Sequence, residues 1–271
     1  MTYRLFDLGA VDLDQPTQIG PDGRTAAPST GIAPTRRRAI GLGAAAAFSL
    51  GACAQNLASD RRELVGPQLY SDSFRAGPGQ WRIELEREGA VTVDGGILEI
   101  DTAGGCSVWF REELRGPVMI QYDAVAVSEG GPNDHVSDLN CFWMATDPGA
   151  PAGIPPRERS GAFADYDDLL AYYVGQGGNR NTTTRMRRYV GEAANRPILP
   201  EHDISDPMHM LRPNARQTIQ LVAADQRIEY WRDGVRVFEL NDPAPYTRGW
   251  FAIRTTANRL RISDFRVFSV R

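Results

Sequence analysis

A chain of 271 residues, 42% hydrophobic and 24% charged, has the make-up of a folded globular protein, which excludes wholesale disorder and membrane-spanning helices. Its formal net charge of -4 provides no global basic field for a nucleic acid or an anionic membrane surface, so neither is expected as a direct partner. All 30 Lys and Arg positions are Arg, so a cationic site must use guanidinium forks, and no lysine nucleophile exists.

Residues 1–34 are rich in Pro, Gly and Thr without periodicity and are expected to be disordered. Arg36-Arg37-Arg38 then precede Ala39-Ile40-Gly41-Leu42 and an alanine run ending at Phe48-Ser49-Leu50. A basic segment followed by a short, mildly apolar one predicts an export signal, and the twin arginine with weak hydrophobicity points to the Tat route. Leu50-Gly51-Ala52-Cys53 resembles a lipobox that would lipidate Cys53, while Ala52-Cys53-Ala54 offers an Ala-x-Ala cut that would release a soluble protein. The expected place is the periplasm or an outer-membrane-anchored lipoprotein, touching membrane only through that lipid. Residues 1–54 form the export segment, 55–68 a polar tether, and 69–271 the folded domain.

From Tyr70 onward, short alternating apolar runs are broken by Gly, Pro, Asn and Asp, the pattern of antiparallel sheets. Val91-Thr92-Val93, the turn Asp94-Gly95-Gly96 and Ile97–Asp101 read as a hairpin whose turn needs positive φ. Further strands are predicted at 108–110, 118–127, 218–223, 227–231, 235–240, 249–254 and 260–268, with short helices only in 162–171 and 205–211. No linker divides this region, so one all-β, two-sheet antiparallel sandwich or jelly roll is the economical reading.

The order of the pieces is informative. Asp72-Ser73-Phe74 with Trp81 opens the body, Tyr230-Trp231-Arg232-Asp233-Gly234 turns a late hairpin, and Ile262–Val267 closes it. Together they resemble the concanavalin A-like lectin/glucanase superfamily, which implies that the first and last strands lie together. With the segments 130–148 and 172–203 they also resemble an uncharacterised bacterial family of secreted β-sandwich proteins, a domain of unknown function whose relatives accompany pectin (rhamnogalacturonan) breakdown. That resemblance implies a carbohydrate-related role and supplies no catalytic residues.

The middle of the chain is dense in polar and aromatic residues. Alternation places Thr183, Arg185, Arg187 and Tyr189 on one strand face and Thr184, Met186 and Arg188 on the other. Guanidiniums bind carboxylates bidentately and aromatic rings stack on sugars, so the first face suits an acidic glycan; the alternative is a solvated face of Arg paired to nearby acids. His202, between Glu201 and Asp203, is the general-base candidate, with Tyr173 or Tyr189 as acid; an exposed loop histidine is the alternative. Asn181, Asn140, Asp138, Asp134 and Trp143 are candidate substrate contacts, although Asx side chains also stabilise turns and aromatic ones pack cores. Cys106 and Cys141 either bridge after export or stay buried thiols. No cofactor is expected; a structural calcium on loop carboxylates is left open.

Retaining glucanases of this superfamily carry Glu-x-Asp-x-x-Glu on one strand. Here Glu99-Ile100-Asp101 begins the pattern, but Gly104 stands where the acid belongs, which disfavours that chemistry. A lyase needs a cation or amide to neutralise the uronate, a base for its C5 proton and an acid for the leaving oxygen, and the middle of the chain offers all three. The expectation is therefore a glycan-active protein, as a lyase on uronate-containing polysaccharide or as a non-catalytic lectin, with a ligand-free envelope domain as a third reading.

Overall fold

The computed structural model describes residues 65–153 and 155–271; the export segment, its Cys53 and most of the tether lie outside the described residues. Among the described residues sixteen strands follow in order. They are β1 (Val65–Asp72), β2 (Trp81–Leu85), β3 (Gly89–Asp94), β4 (Ile97–Thr102), β5 (Gly105–Phe110), β6 (Leu114–Arg115), β7 (Val118–Ala126) and β8 (Leu139–Thr146). After a long connection come β9 (Leu170–Gly177), β10 (Thr183–Val190), β11 (Asp203–Ile204), β12 (Arg216–Ala224), β13 (Arg227–Arg232), β14 (Val235–Asn241), β15 (Arg248–Thr256) and β16 (Arg259–Val270). The short helices expected in 162–171 and 205–211 are single 3-10 turns, Phe163–Tyr166 and Pro207–His209, and short helical turns also stand outside those segments, at Gly178–Asn181 and Pro200–His202.

The strands form two antiparallel sheets, a sandwich as expected. The first has the order β14, β13, β12, β7, β16, β4, β3, with β1 added along β16; the second has the order β11, β10, β9, β8, β15, β5, β2, with β6 beside β15. Strand β1 starts at Val65, four residues before the expected domain boundary, because Val65 pairs with Val270 at the far end of β16. The first and last strands thus lie together. The 94–96 turn closes its hairpin with Gly95 and Gly96 at φ of 58° and 91°, a region glycine enters without a Cβ penalty.

Alternation sorts each strand into a face that meets the other sheet and one that does not. Val108, Phe110, Cys141, Trp143, Tyr172, Val174, Phe251 and Ile253 from the second sheet pack against Ile120, Tyr122, Leu221, Tyr230, Ile262 and Phe265 from the first. An aromatic nucleus of Trp81, Phe110, Phe251 and Phe265 sits among them, with Trp81 and Phe110 each 4.9 Å from the Phe265 ring centre. Asp72 fixes its entry: Oδ1 accepts the Phe74 N–H at 2.7 Å and Oδ2 accepts the Trp81 indole N–H at 2.8 Å. Cys106 and Cys141 are free, and burial pushes each thiol up to about 12.

The second sheet carries a further apolar layer on its outer face. Trp109, Phe142, Tyr173, Tyr189 and Trp250 alternate with the core residues and are covered by Tyr166 and Leu169 from the connection between β8 and β9. Two carboxylates fasten that connection. Glu84 of β2, 2% exposed, accepts the Trp109 indole N–H and the Tyr166 hydroxyl on one oxygen, at 2.8 and 2.7 Å, and the Arg159 N–H at 3.1 Å on the other. Asp147 receives the Arg157 and Arg159 guanidiniums at 2.7 and 3.0 Å.

Candidate functional site

Past the edge of this aromatic layer, one row of outward side chains crosses the second sheet. Register pairs Glu84 with Ser107, Ser107 with Arg254, Arg254 with Asn140, Asn140 with Gly175, Gly175 with Arg185, and Arg185 with Asp203. The row two residues along contains Arg82, Trp109, Ala252, Phe142, Tyr173 and Arg187. Seven strands thus bring residues from 82 to 254 onto one surface.

Polar groups in this row are incompletely used. Arg254 is 1% exposed; Nη1 donates to Ser107 Oγ at 3.0 Å and the Gly161 carbonyl at 2.9 Å, while Nε and Nη2 are buried without an acceptor. Asn140 is 2% exposed and donates through Nδ2 to Asp138 at 3.2 Å, and its Oδ1 is likewise unpartnered. Buried polar groups are normally hydrogen-bonded, and these two stand on neighbouring strands of one row. Phe163 lies over Arg254, with its ring 4.8 Å from the guanidinium carbon, 5.1 Å from that of Arg196 and 5.5 Å from the Tyr173 ring.

Charge on this surface is uneven. Arg185 is neutralised by Asp203 at 2.7 Å and Arg196 faces Asp167 at 3.5 Å. Among the described residues, neither Arg187 nor Arg254 makes an ion pair. Arg187 donates to the Arg196 carbonyl, and burial, joined by repulsion from Arg196 and Arg185, pulls it below its usual value. Beside it the Tyr173 hydroxyl makes no hydrogen bond among the described residues and leans over Gly175, 2.9 Å from where a Cβ there would stand. Burial holds this phenol well above its usual range, so it stays protonated at neutral pH.

Of the residues expected from the sequence, Arg185, Arg187, Tyr173, Asn140 and Asp138 come together here. The others do not. His202 is 4% exposed and packs edge-on against Phe238 at 5.4 Å with Nε2 3.0 Å from the Glu239 carbonyl; its Pro-bounded turn carries it to β14 of the other sheet, away from this face. Tyr189 lies on the expected side of β10 but is fully buried in the aromatic layer, its phenol pushed up to about 12 by burial. Trp143 points between the sheets, 5.5 Å from the Tyr172 ring, because its parity is that of the core. Asn181 clamps both backbone groups of Leu211, at 2.9 and 2.8 Å. Asp134 caps its own loop, accepting the Glu129 and Gly131 N–H groups at 2.6 and 2.9 Å.

Sequence reasoning missed Arg254, Phe163 and Arg196. Alternation in 249–254 puts Trp250, Ala252 and Arg254 on one face, but only the sheet order shows that this face meets Asn140 and Arg185. A separate cleft of ≈ 360 Å³ opens between Asp147, Pro148, Tyr246 and Trp250, where Asp147 is consumed by Arg157 and Arg159 and the Trp250 indole by the Arg111 carbonyl. Among the described residues no three His, Cys, Asp or Glu side chains gather as a metal-binding group.

The chain is similar to a protein of unknown function with galectin-like fold from Bacillus subtilis, at 16% identity and TM-score 0.57, over 76% of this chain and 97% of that one. Weaker likenesses include the carbohydrate-binding module CBM66 from Bacillus subtilis (11% identity, 70% and 96% covered, TM-score 0.47) and an endo-beta-1,3-glucanase from Pyrococcus furiosus (9% identity, 75% and 94% covered, TM-score 0.45). No curated protein matches the sequence. Residues 100–265, more than half of the chain, match the family described as Domain of unknown function (DUF6250), and the chain belongs to that family.

Proposed function

We propose that the outer face of the second sheet binds a carboxylate-bearing glycan and acts on it by β-elimination. The observation that carries this reading is the pair of guanidiniums, Arg254 and Arg187, that flank Tyr173 without an ion pair among the described residues. A buried or half-buried charge is costly unless an opposite charge meets it, and guanidinium N–H groups match a carboxylate bidentately. Phe163 supplies an apolar ring beside Arg254 and Tyr173, the combination a uronate presents in reverse: one apolar sugar face and one carboxylate.

Elimination fits the face better than retaining hydrolysis. Hydrolysis by that route needs two working carboxylates on one face. Glu99, where the glucanase pattern begins, lies on β4 of the other sheet and is held by Arg259 and Arg261 at 3.0 and 2.7 Å. Elimination needs a single base, an acid and a cation, and Tyr173 supports the acid role while Arg187 and Arg254 support the third. The Tat-type segment and the lipobox around Cys53 support a working place outside the cytoplasm, where pectic and other acidic polysaccharides are met.

The test is a glycan array that pairs acidic glycans with their methyl-esterified or neutral counterparts. Binding restricted to free carboxylates is the expected outcome; equal binding to both forms, or binding to neither, contradicts the reading.

A further inference from the structure

With His202 packed against the other sheet, the base of such a site must come from the face itself. Five carboxylates border it, of which Asp167 faces Arg196 at 3.5 Å and Glu86 accepts the Gly105 N–H at 2.7 Å. Glu84 is saturated by Trp109, Tyr166, Arg159 and Arg82. Asp203 is engaged by Arg185 through two hydrogen bonds at 2.7 and 3.2 Å. Asp138 is different: it is half-buried, and among the described residues it makes no ion pair.

We propose that Asp138 is the proton-abstracting carboxylate of this face, working opposite the Tyr173 hydroxyl on a uronate whose carboxyl group is held by Arg187 and Arg254. This rests on the acidic-glycan reading above. Three observations converge on it. First, Asn140 Nδ2 holds one Asp138 oxygen at 3.2 Å, and Asn140 pairs in register with Gly175, the residue over which the Tyr173 hydroxyl leans. Carboxylate, amide and phenol therefore lie close together, and the missing side chain at Gly175 lets the Tyr173 hydroxyl settle there. Second, Asp138 sits at φ of 53°, a left-handed conformation uncommon for residues other than glycine, fixed by its N–H donating to the Gly177 carbonyl at 3.1 Å. Aspartate enters this region more readily than most residues, and the bond to Gly177 with that from Asn140 keeps the carboxylate beside the β8–β9 edge. Third, burial raises the carboxyl group above its ordinary value against the pull of Asn140, Ser137 and Arg254, which makes it a stronger base than a solvated aspartate.

The step balances without a redox partner. Asp138 takes the C5 proton, the C5–H electron pair becomes the C4–C5 double bond, the C4–O4 bond breaks, and O4 receives the Tyr173 proton. Arg187 and Arg254 offset the charge that develops on the uronate carboxyl group. Asp138 then releases its proton to water, and Tyr173 recovers one from water.

The full chain is incubated with polygalacturonate and a panel of other uronate polymers, and the ultraviolet absorbance of the unsaturated product is followed. Wild type is expected to form it; Asp138→Asn is expected to lose roughly 100-fold or more, the usual contribution of a positioned base, with the loss in kcat rather than KM and an unchanged Tm. Tyr173→Phe is expected to behave alike. Wild-type binding of uronate polymers without unsaturated product, or Asp138→Asn retaining turnover, overturns the proposal while leaving glycan binding intact. Failure to bind any uronate polymer overturns both.

Discussion

At the scale of single residues, the face depends on side chains that are absent as well as present. Gly175 leaves the gap under the Tyr173 hydroxyl, and a Cβ there would meet that oxygen at 2.9 Å and the ring at 3.2 Å. Gly175→Ala should therefore displace Tyr173 and cost about 1–3 kcal/mol in chemical unfolding, as overpacking does. Adding Tyr173→Phe removes the closest contact and should recover part of that loss; a fully additive double variant would show that the two positions do not touch. The candidate residues that lie away from this face do so for one reason. Asn181, Asp134, His202 and Trp143 have chemically suggestive side chains, but what decides their role is where the backbone turns and which sheet lies beneath. Trp143 and Phe142 are adjacent in sequence, and one residue of parity sends the first between the sheets and the second to the outer layer.

At the scale of elements, the connection between β8 and β9 gives the face its shape. It brings Phe163 and Tyr166 over the sheet and is tied down by Glu84, Asp147 and Asp168, the last receiving Arg157 and Arg159 at 2.8 Å each. Burial pushes the Asp147 carboxyl up, but the hydrogen bonds from Arg157, its N–H and that of Gly149, with the charge of Arg159, outweigh it and hold the group well below the usual carboxylate range. A depressed folded value stabilises the protein above the ordinary aspartate value of 3.8, and the contribution is lost as pH falls below it toward the folded value. In thermal melts across that acid range, Asp147→Asn should flatten the fall of Tm relative to wild type; a parallel fall would show that Asp147 is not a source of the acid sensitivity. The strands were legible because alternation and turn glycines are local: the 91–101 hairpin and the closing strands stand where period-2 reading places them. The 147–169 connection was not legible, because its order comes from ion pairs within itself and from hydrogen bonds to residues up to 82 positions away rather than from its own periodicity.

At the scale of the molecule, two layers of burial on the second sheet separate what is inert from what is reactive. Cys106 and Cys141 lie between the sheets with no exposure, so in a Cys53→Ser background no thiol should react with a disulfide reagent at pH 8 until the protein is denatured, when two should. Native-state labelling would mean that the core opens locally. The face outside that core carries the functional reading, and its order of residues, from Glu84 to Asp203, exists only once seven strands are assembled. The most direct test is a calorimetric titration of an oligogalacturonate into wild type and Arg187→Ala at low and raised salt. Loss of one unpaired guanidinium should weaken binding about tenfold or more, and wild-type affinity should fall with salt. Equal affinity of the two proteins, indifferent to salt, would contradict the assignment of this face to an acidic glycan.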